Sequence, residues 1–219
     1  MARRTFLTAL AASMVALPSG CGILGPSRYR FKLTVEADTS GGPLFGSSVY
    51  EVTAYNTLNL TSEEKGGGGG IRGQATILDL PSGPVFALLR TSTVGEGLDE
   101  VATVAMRPDA GTGHFRDYLQ AVRSLGGWFG RSRAELPSKD WPLLARFGNI
   151  NDPATAELVN PTSIGVKRVI VETIAADVSE GIETRLTWLG HDRLTLGERG
   201  TMGPPMAGSY LQNGDFWRS

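Results

Sequence analysis

The sequence predicts an α+β fold, a predominantly antiparallel β-sheet or flattened sandwich with one packed amphipathic helix at about His114 to Leu125. Three observations predict it. Tyr29 to Asp38 alternates apolar and polar without a break, the period of a half-buried strand. The strand-like segments that follow are joined by links too short for the crossover of a parallel pair. Phe115, Leu119, Val122 and Leu125 recur at helical spacing, with Thr112 available as a cap and Gly126-Gly127 as a stop.

Taken in order, the first strand puts its odd positions toward a core and its even positions toward water, so its charges read as a solvated face. Thr39 to Gly46, with two adjacent glycines and a proline, is expected to be a long loop turning the chain into a second strand from Ser47 to Tyr55. Glu63-Glu64-Lys65 and the glycines Gly66 to Gly70 read as a surface loop, because a phosphate-binding loop also needs a Lys and a Ser or Thr entering a helix. Gln74 to Leu80, Val85 to Thr91 and Val101 to Arg107 are expected as three more strands. Gly111-Thr112-Gly113 lacks the third glycine of a dinucleotide fingerprint, Arg116 standing there, and reads as the loop that starts the helix.

Trp128-Phe129 and Trp141 frame a polar stretch, Arg131 to Asp140, whose pattern selects neither helix nor loop. Leu143 to Ile150 reads as a strand broken by Asn151-Asp152-Pro153. Val166 to Ala176, the most β-branched run, is expected to be a central strand with both faces largely covered. Glu172 within it reads as a charge partner of Arg168 and neighbouring strand arginines, the alternative being an acid of raised pKa. Gly197 to Ser219 is expected to hold little regular structure, with Phe216 and Trp217 either folding back onto the core or offering a contact. The expected division is residues 1–20 signal, 21–28 tether, 29–196 one domain and 197–219 irregular tail.

Residues 1–20 have the three parts of a secretory signal. Arg3 and Arg4 supply charge, the thirteen residues from Phe6 to Pro18 are apolar apart from Thr8 and Ser13, and Ser19-Gly20 are the small residues a peptidase accepts. The run is shorter than the roughly 20 residues needed to span a bilayer, so it reads as removable. Arg3-Arg4-Thr5-Phe6-Leu7 resembles the twin-arginine motif, departing from it at Ala2 and Thr8, and that resemblance implies folding before export; a Sec signal with two arginines is the other reading. Leu17-Pro18-Ser19-Gly20-Cys21 resembles a bacterial lipobox, with Pro18 where the family prefers Leu. It implies lipidation at Cys21, the chain's only cysteine; cleavage nearby by the general signal peptidase is the alternative. Gly22 does not specify inner-membrane retention in the enteric form, so the inner face of the outer membrane, facing the periplasm, is the expected place.

Cleavage after Gly20 would remove two of 21 basic residues and leave 19 against 22 acidic ones, a charge of −3. That disfavours nucleic acid, whose binding draws on a basic patch. The chain carries no Gly-x-Ser-x-Gly elbow, no His-Glu-x-x-His and no paired cysteines. Its two histidines, His114 and His191, read as capping or surface residues, although with Asp192 they make a conceivable three-ligand metal set. The expectation is therefore no catalytic, cofactor or metal residues, with membrane attachment through Cys21 and an envelope protein as candidate partner. The alternative is a periplasmic hydrolase or metal-dependent enzyme, favoured by a deep pocket joining a histidine to carboxylates; a flat Trp-lined patch favours a binder.

Phe147-Gly148-Asn149-Ile150-Asn151-Asp152-Pro153, Val166 to Thr173, Gly181-Ile182-Glu183 and Leu186-Thr187-Trp188-Leu189 resemble a set of uncharacterised proteobacterial lipoproteins. Phe31 to Glu36 and Gly46-Ser47-Ser48-Val49 are similar to the same set, so the likeness covers most of the chain after the signal. It implies an envelope lipoprotein and no activity.

Overall fold

The computed structural model describes residues 25–56, 67–92, 97–128, 130–190, 211 and 213–219. The clearest strand of the sequence is the centre of the architecture. β1 (Ser27–Thr39) buries Tyr29, Phe31, Leu33, Val35 and Ala37 and leaves the even side chains between them at least partly open to water. It pairs antiparallel with β2 (Gly42–Asn56) from Ser27↔Ala54 to Thr39↔Gly42. The long loop expected at Thr39 to Gly46 is therefore a tight turn, and Pro43 to Gly46 are strand residues. The turn is held by Thr39, whose Oγ1 donates to the Gly42 carbonyl at 2.8 Å.

Of the loop expected over Glu63 to Gly70, residues 63–66 lie outside the described residues, and the remaining glycines are not a loop. Gly67 to Gly70 open β3 (Gly67–Gln74), which pairs with β2 from Asn56↔Gly67 to Glu51↔Arg72. Missing side chains are what the sheet uses there: a Cβ on Gly67 would lie 1.9 Å from Cε1 of Phe115, and one on Gly68 would lie 2.6 Å from the Tyr55 hydroxyl oxygen. Two aromatic rings take the space that side chains would fill, a packing role that composition alone does not reveal. At Gly73 the backbone has φ +146, a region glycine enters without steric cost. The chain leaves this sheet one residue later, and Ala75 separates β3 from β4 (Thr76–Leu80) in the second sheet. The single strand expected over Gln74 to Leu80 is thus two.

β4 pairs with β5 (Gly83–Thr91) across a turn at Pro81-Ser82. The segment after it corrects the sequence reading: Val101 to Arg107 is not a strand, because Leu98–Met106 forms α1. Leu98, Val101, Ala102 and Met106 are buried at helical spacing, and Asp99 and Glu100 stand in the first turn, where the helix dipole favours carboxylates. α2 (Phe115–Leu125) lies where expected, but its N-cap is His114 in place of Thr112, and no side chain caps it. Ala121, Val122 and Leu125 are its buried face.

The polar stretch that the pattern left open holds β6 (Arg133–Leu136). β7 (Pro142–Phe147), the expected strand, stops at Gly148; β8 (Ala156–Val159), absent from the sequence reading, pairs with it. β9 (Val166–Thr173) ends three residues earlier than expected. It is paired on both edges, with β1 and β6; Val169 and Val171 are buried on its core face, while on the other Ile170 is buried, Arg168 exposed and Glu172 half-exposed, so that face is covered only in part. The described part of the expected tail is structured: α3 (Asn213–Phe216) is one helical turn and β10 (Trp217–Arg218) pairs with β3.

All pairings are antiparallel, in a six-stranded sheet ordered β10-β3-β2-β1-β9-β6 and a four-stranded sheet ordered β4-β5-β7-β8. The fold is α+β with a predominantly antiparallel sheet, and among the described residues two helices, α1 and α2, pack on the strands where one was expected. α1 packs against β3, β5, β6 and β9, and α2 against β1 and β2. Between the layers Phe31 stacks on Tyr50 with centroids 5.1 Å apart, and Phe86, Phe147, Trp188 and Phe216 form a second aromatic group with centroids 5.5 to 6.1 Å apart. Each fully buried Leu or Phe contributes roughly 1.5–3 kcal/mol of transfer free energy.

Candidate functional site

On the six-stranded sheet, the face away from the core carries a ladder of opposite charges set by register. Lys32 lies opposite Glu172, Nζ to Oε1 2.6 Å, and Glu36 opposite Arg168, Oε2 to Nε 2.5 Å. Glu172 is not an acid of raised pKa. The Lys32 hydrogen bond and charge, helped by Arg133, hold its carboxyl below the usual range. Its ion-pair partner is Lys32, and of the expected Arg168 and neighbouring strand arginines only Arg133, opposite it on β6, adds its charge; antiparallel register decides this, since Arg168 faces Glu36. Glu51, 8% exposed, accepts from Arg30 Nε at 3.0 Å.

Arg30 also clasps the segment that leaves β9. Its guanidinium donates to the Ala176 carbonyl at 3.1 Å and to Asp177 Oδ1 at 3.0 Å. The segment then crosses to the far side of β2, where Ser179 N donates to the Val49 carbonyl at 3.0 Å and Ser179 Oγ accepts from Val49 N at 2.9 Å. Val49 is free to bond it because β3 pairs with β2 only from Glu51 onward. Ile182 N, donating to Gln74 Oε1 at 2.8 Å, fixes the far end.

This crossing, the end of β3 and β10 enclose an open groove of about 360 Å³ lined by Arg72, Gly73, Val178 to Glu180, Glu183 and Trp217 to Ser219. Arg72 pairs with Glu180 at 3.0 Å, and Arg218 Nε donates to the Gly214 carbonyl at 2.8 Å. Trp217 is 42% exposed while its neighbour Phe216 is fully buried, so the turn of α3 anchors the tryptophan beside the groove. The lining holds two arginines and two glutamates around one aromatic ring. The one hydroxyl contributed by the crossing segment, Ser179 Oγ, already serves the Val49 amide. Such a surface can hold a polar or extended ligand by charge pairing and ring contact.

The sequence-stressed residues do not meet in this groove. His114 is the cap of α2, and Glu172 is in the charge ladder. Arg3, Arg4, Cys21, His191 and Asp192 lie outside the described residues. Among the described residues, no three His, Cys, Asp or Glu side chains group closely enough to hold a metal ion, and no helix is long and apolar enough to cross a membrane. The groove escaped the sequence reading because three short segments far apart in the chain build it. Of the expectation that Phe216 and Trp217 either fold back onto the core or offer a contact, Phe216 takes the first course and Trp217 stands half-exposed at the groove.

Compared with protein-family models, with curated proteins and with solved structures, the chain matches none. What it does is argued from its own residues.

Proposed function

We propose that this chain is a cell-envelope lipoprotein that works by binding, anchored through Cys21 on the periplasmic side of a membrane and meeting an envelope partner at the Trp217 groove. The observation that carries the binding half is a tryptophan held half-exposed by a buried neighbour, beside the Arg72–Glu180 pair. Aromatic and arginine side chains are the residues that most often carry interface energy. The anchor half rests on the lipobox-like Leu17 to Cys21 and on the resemblance to uncharacterised proteobacterial lipoproteins. Gly22 after the cysteine favours the outer membrane's inner face over the inner membrane.

Two substitutions test it. Cys21→Ser leaves a precursor that is neither lipidated nor cleaved; a normally cleaved, equally soluble product, read by mass spectrometry and fractionation, overturns the anchor. Trp217→Ala keeps fold and lipid but loses rescue of a deletion strain's envelope phenotype. Full rescue by Trp217→Ala combined with Arg72→Ala overturns the groove as the contact.

A further inference from the structure

We propose that the end of the fold where β1 begins is a membrane-resting face, with Trp128 entering the lipid interface and Arg28, Arg123 and Arg131 set against lipid phosphates. The inference rests on the anchor at Cys21 and adds an orientation to it. Six peptide units join Cys21 to Ser27, the first residue of β1, an extended reach of at most about 20 Å. A lipid at Cys21 therefore keeps this end of the sheet close to the bilayer, whichever way the rest points.

The chemistry at that end suits a lipid surface. Trp128 is 93% exposed, far more than any other described tryptophan. It follows the end of α2, which is held directly against β1: Arg123 Nε donates to Ser27 Oγ at 3.4 Å, and a Cβ on Gly126 would lie 2.0 Å from the Arg28 carbonyl oxygen. Tyr55, 46% exposed, stands two residues beyond the β2 partner of Arg28. Residues 25–28, 53–56, 67–69 and 119–131 contain Arg28, Arg123 and Arg131, all exposed, and no Asp or Glu, with Asp117 in the first turn of α2 and Asp177 against Arg30 at their border. In a chain of formal net charge −1 this is a local excess of cations. Tryptophan sits readily where one side of its ring is wet, and each arginine near an anionic leaflet strengthens attachment about fivefold. A second copy of this chain would bring arginines against arginines, which disfavours it as the occupant.

The test is quenching of tryptophan fluorescence by brominated acyl chains in vesicles of phosphatidylcholine and phosphatidylglycerol carrying the lipidated full chain. The expected result is strong quenching, mostly lost in Trp128→Phe and unchanged in Trp217→Phe, with circular dichroism confirming the fold of both. Quenching that Trp128→Phe leaves intact, or a lipidated chain with none, overturns the face while the anchor stands. If mass spectrometry shows no lipid, the chain is added to the same vesicles: quenching through Trp128 then keeps the face and overturns the anchor, and its absence overturns both. Cross-linking of residue 128 to a second copy without quenching also overturns it.

Discussion

The hydroxyls of Tyr29 and Thr103 lie 2.8 Å apart inside the core, joining β1 to α1. Thr103 Oγ1 also donates to the Asp99 carbonyl at 2.6 Å, and a hydroxyl has one proton, so Tyr29 is the donor between them. Removing either partner therefore has unequal effects. Tyr29→Phe deletes a donor whose acceptor keeps its own bond and costs about 1 kcal/mol; Thr103→Val strands the buried tyrosine hydroxyl and costs about 1–3 kcal/mol. Urea midpoints in which Tyr29→Phe is the more damaging contradict this assignment.

Burial raises the pKa of Tyr29, Tyr50 and Tyr118 above the usual tyrosine value, the charge of Asp99 adding to the effect at Tyr118. A folded pKa above the unfolded one means the native state keeps its proton after the unfolded chain has released it. Stability is thus complete below pH 10 and declines as pH rises beyond it. Urea midpoints at pH 8 and pH 10.5 check this, with a lower value expected at the higher pH.

Neighbouring glycines of β3 respond differently to a methyl group. Gly67→Ala meets the Phe115 ring at 1.9 Å and Gly69→Ala the Thr53 carbonyl at 2.7 Å, and both lose about 1–3 kcal/mol. Gly70→Ala has nothing within 4 Å and an ordinary φ, and gains about 0.4–1 kcal/mol because the unfolded chain loses freedom. Thermal midpoints of the three variants give the order directly.

The two faces of β1 differ in the same way. Leu33→Ala opens a cavity in a fully buried site and costs about 2–5 kcal/mol. Lys32→Ala removes a partly exposed ion pair with Glu172 and costs no more than about 1 kcal/mol. Denaturant midpoints in the reverse order contradict the assignment of faces.

Export distinguishes the two readings of the signal. Arg3→Lys with Arg4→Lys keeps the charge that Sec tolerates and removes the arginines that a twin-arginine route reads. Blocked export, scored by the amount of mature protein in the envelope fraction, assigns the twin-arginine route; unchanged export assigns Sec and means the domain does not need to fold first.

Period-two alternation made β1 legible residue by residue, and the α2 stripe of Phe115, Leu119, Val122 and Leu125 did the same for a helix. α1 was lost because Val101 to Met106 is nearly all apolar or small, so periodicity cannot separate a buried helix from a strand; packing against four strands selects the helix. Gly67 to Gly70 misled for the opposite reason, since only the Phe115 and Tyr55 rings, remote or on another strand, show why a strand has no side chains. Of the groove, the sequence pointed to Trp217 as a contact; it did not show that Ser179 bonding to the β2 edge at Val49 brings Glu180 and Glu183 beside Arg72 of β3.

The glycine strand also sets how its gene can drift. The run Gly66 to Gly70 holds one glycine more than the four at the start of β3, and Ile71 and Arg72, opposite Val52 and Glu51, hold the register beyond it. A deletion of one glycine brings Gly66 opposite Phe115 and the strand is unchanged; a deletion of two brings Lys65 there, against the ring. The run thus leaves β3 a margin of one residue against shortening.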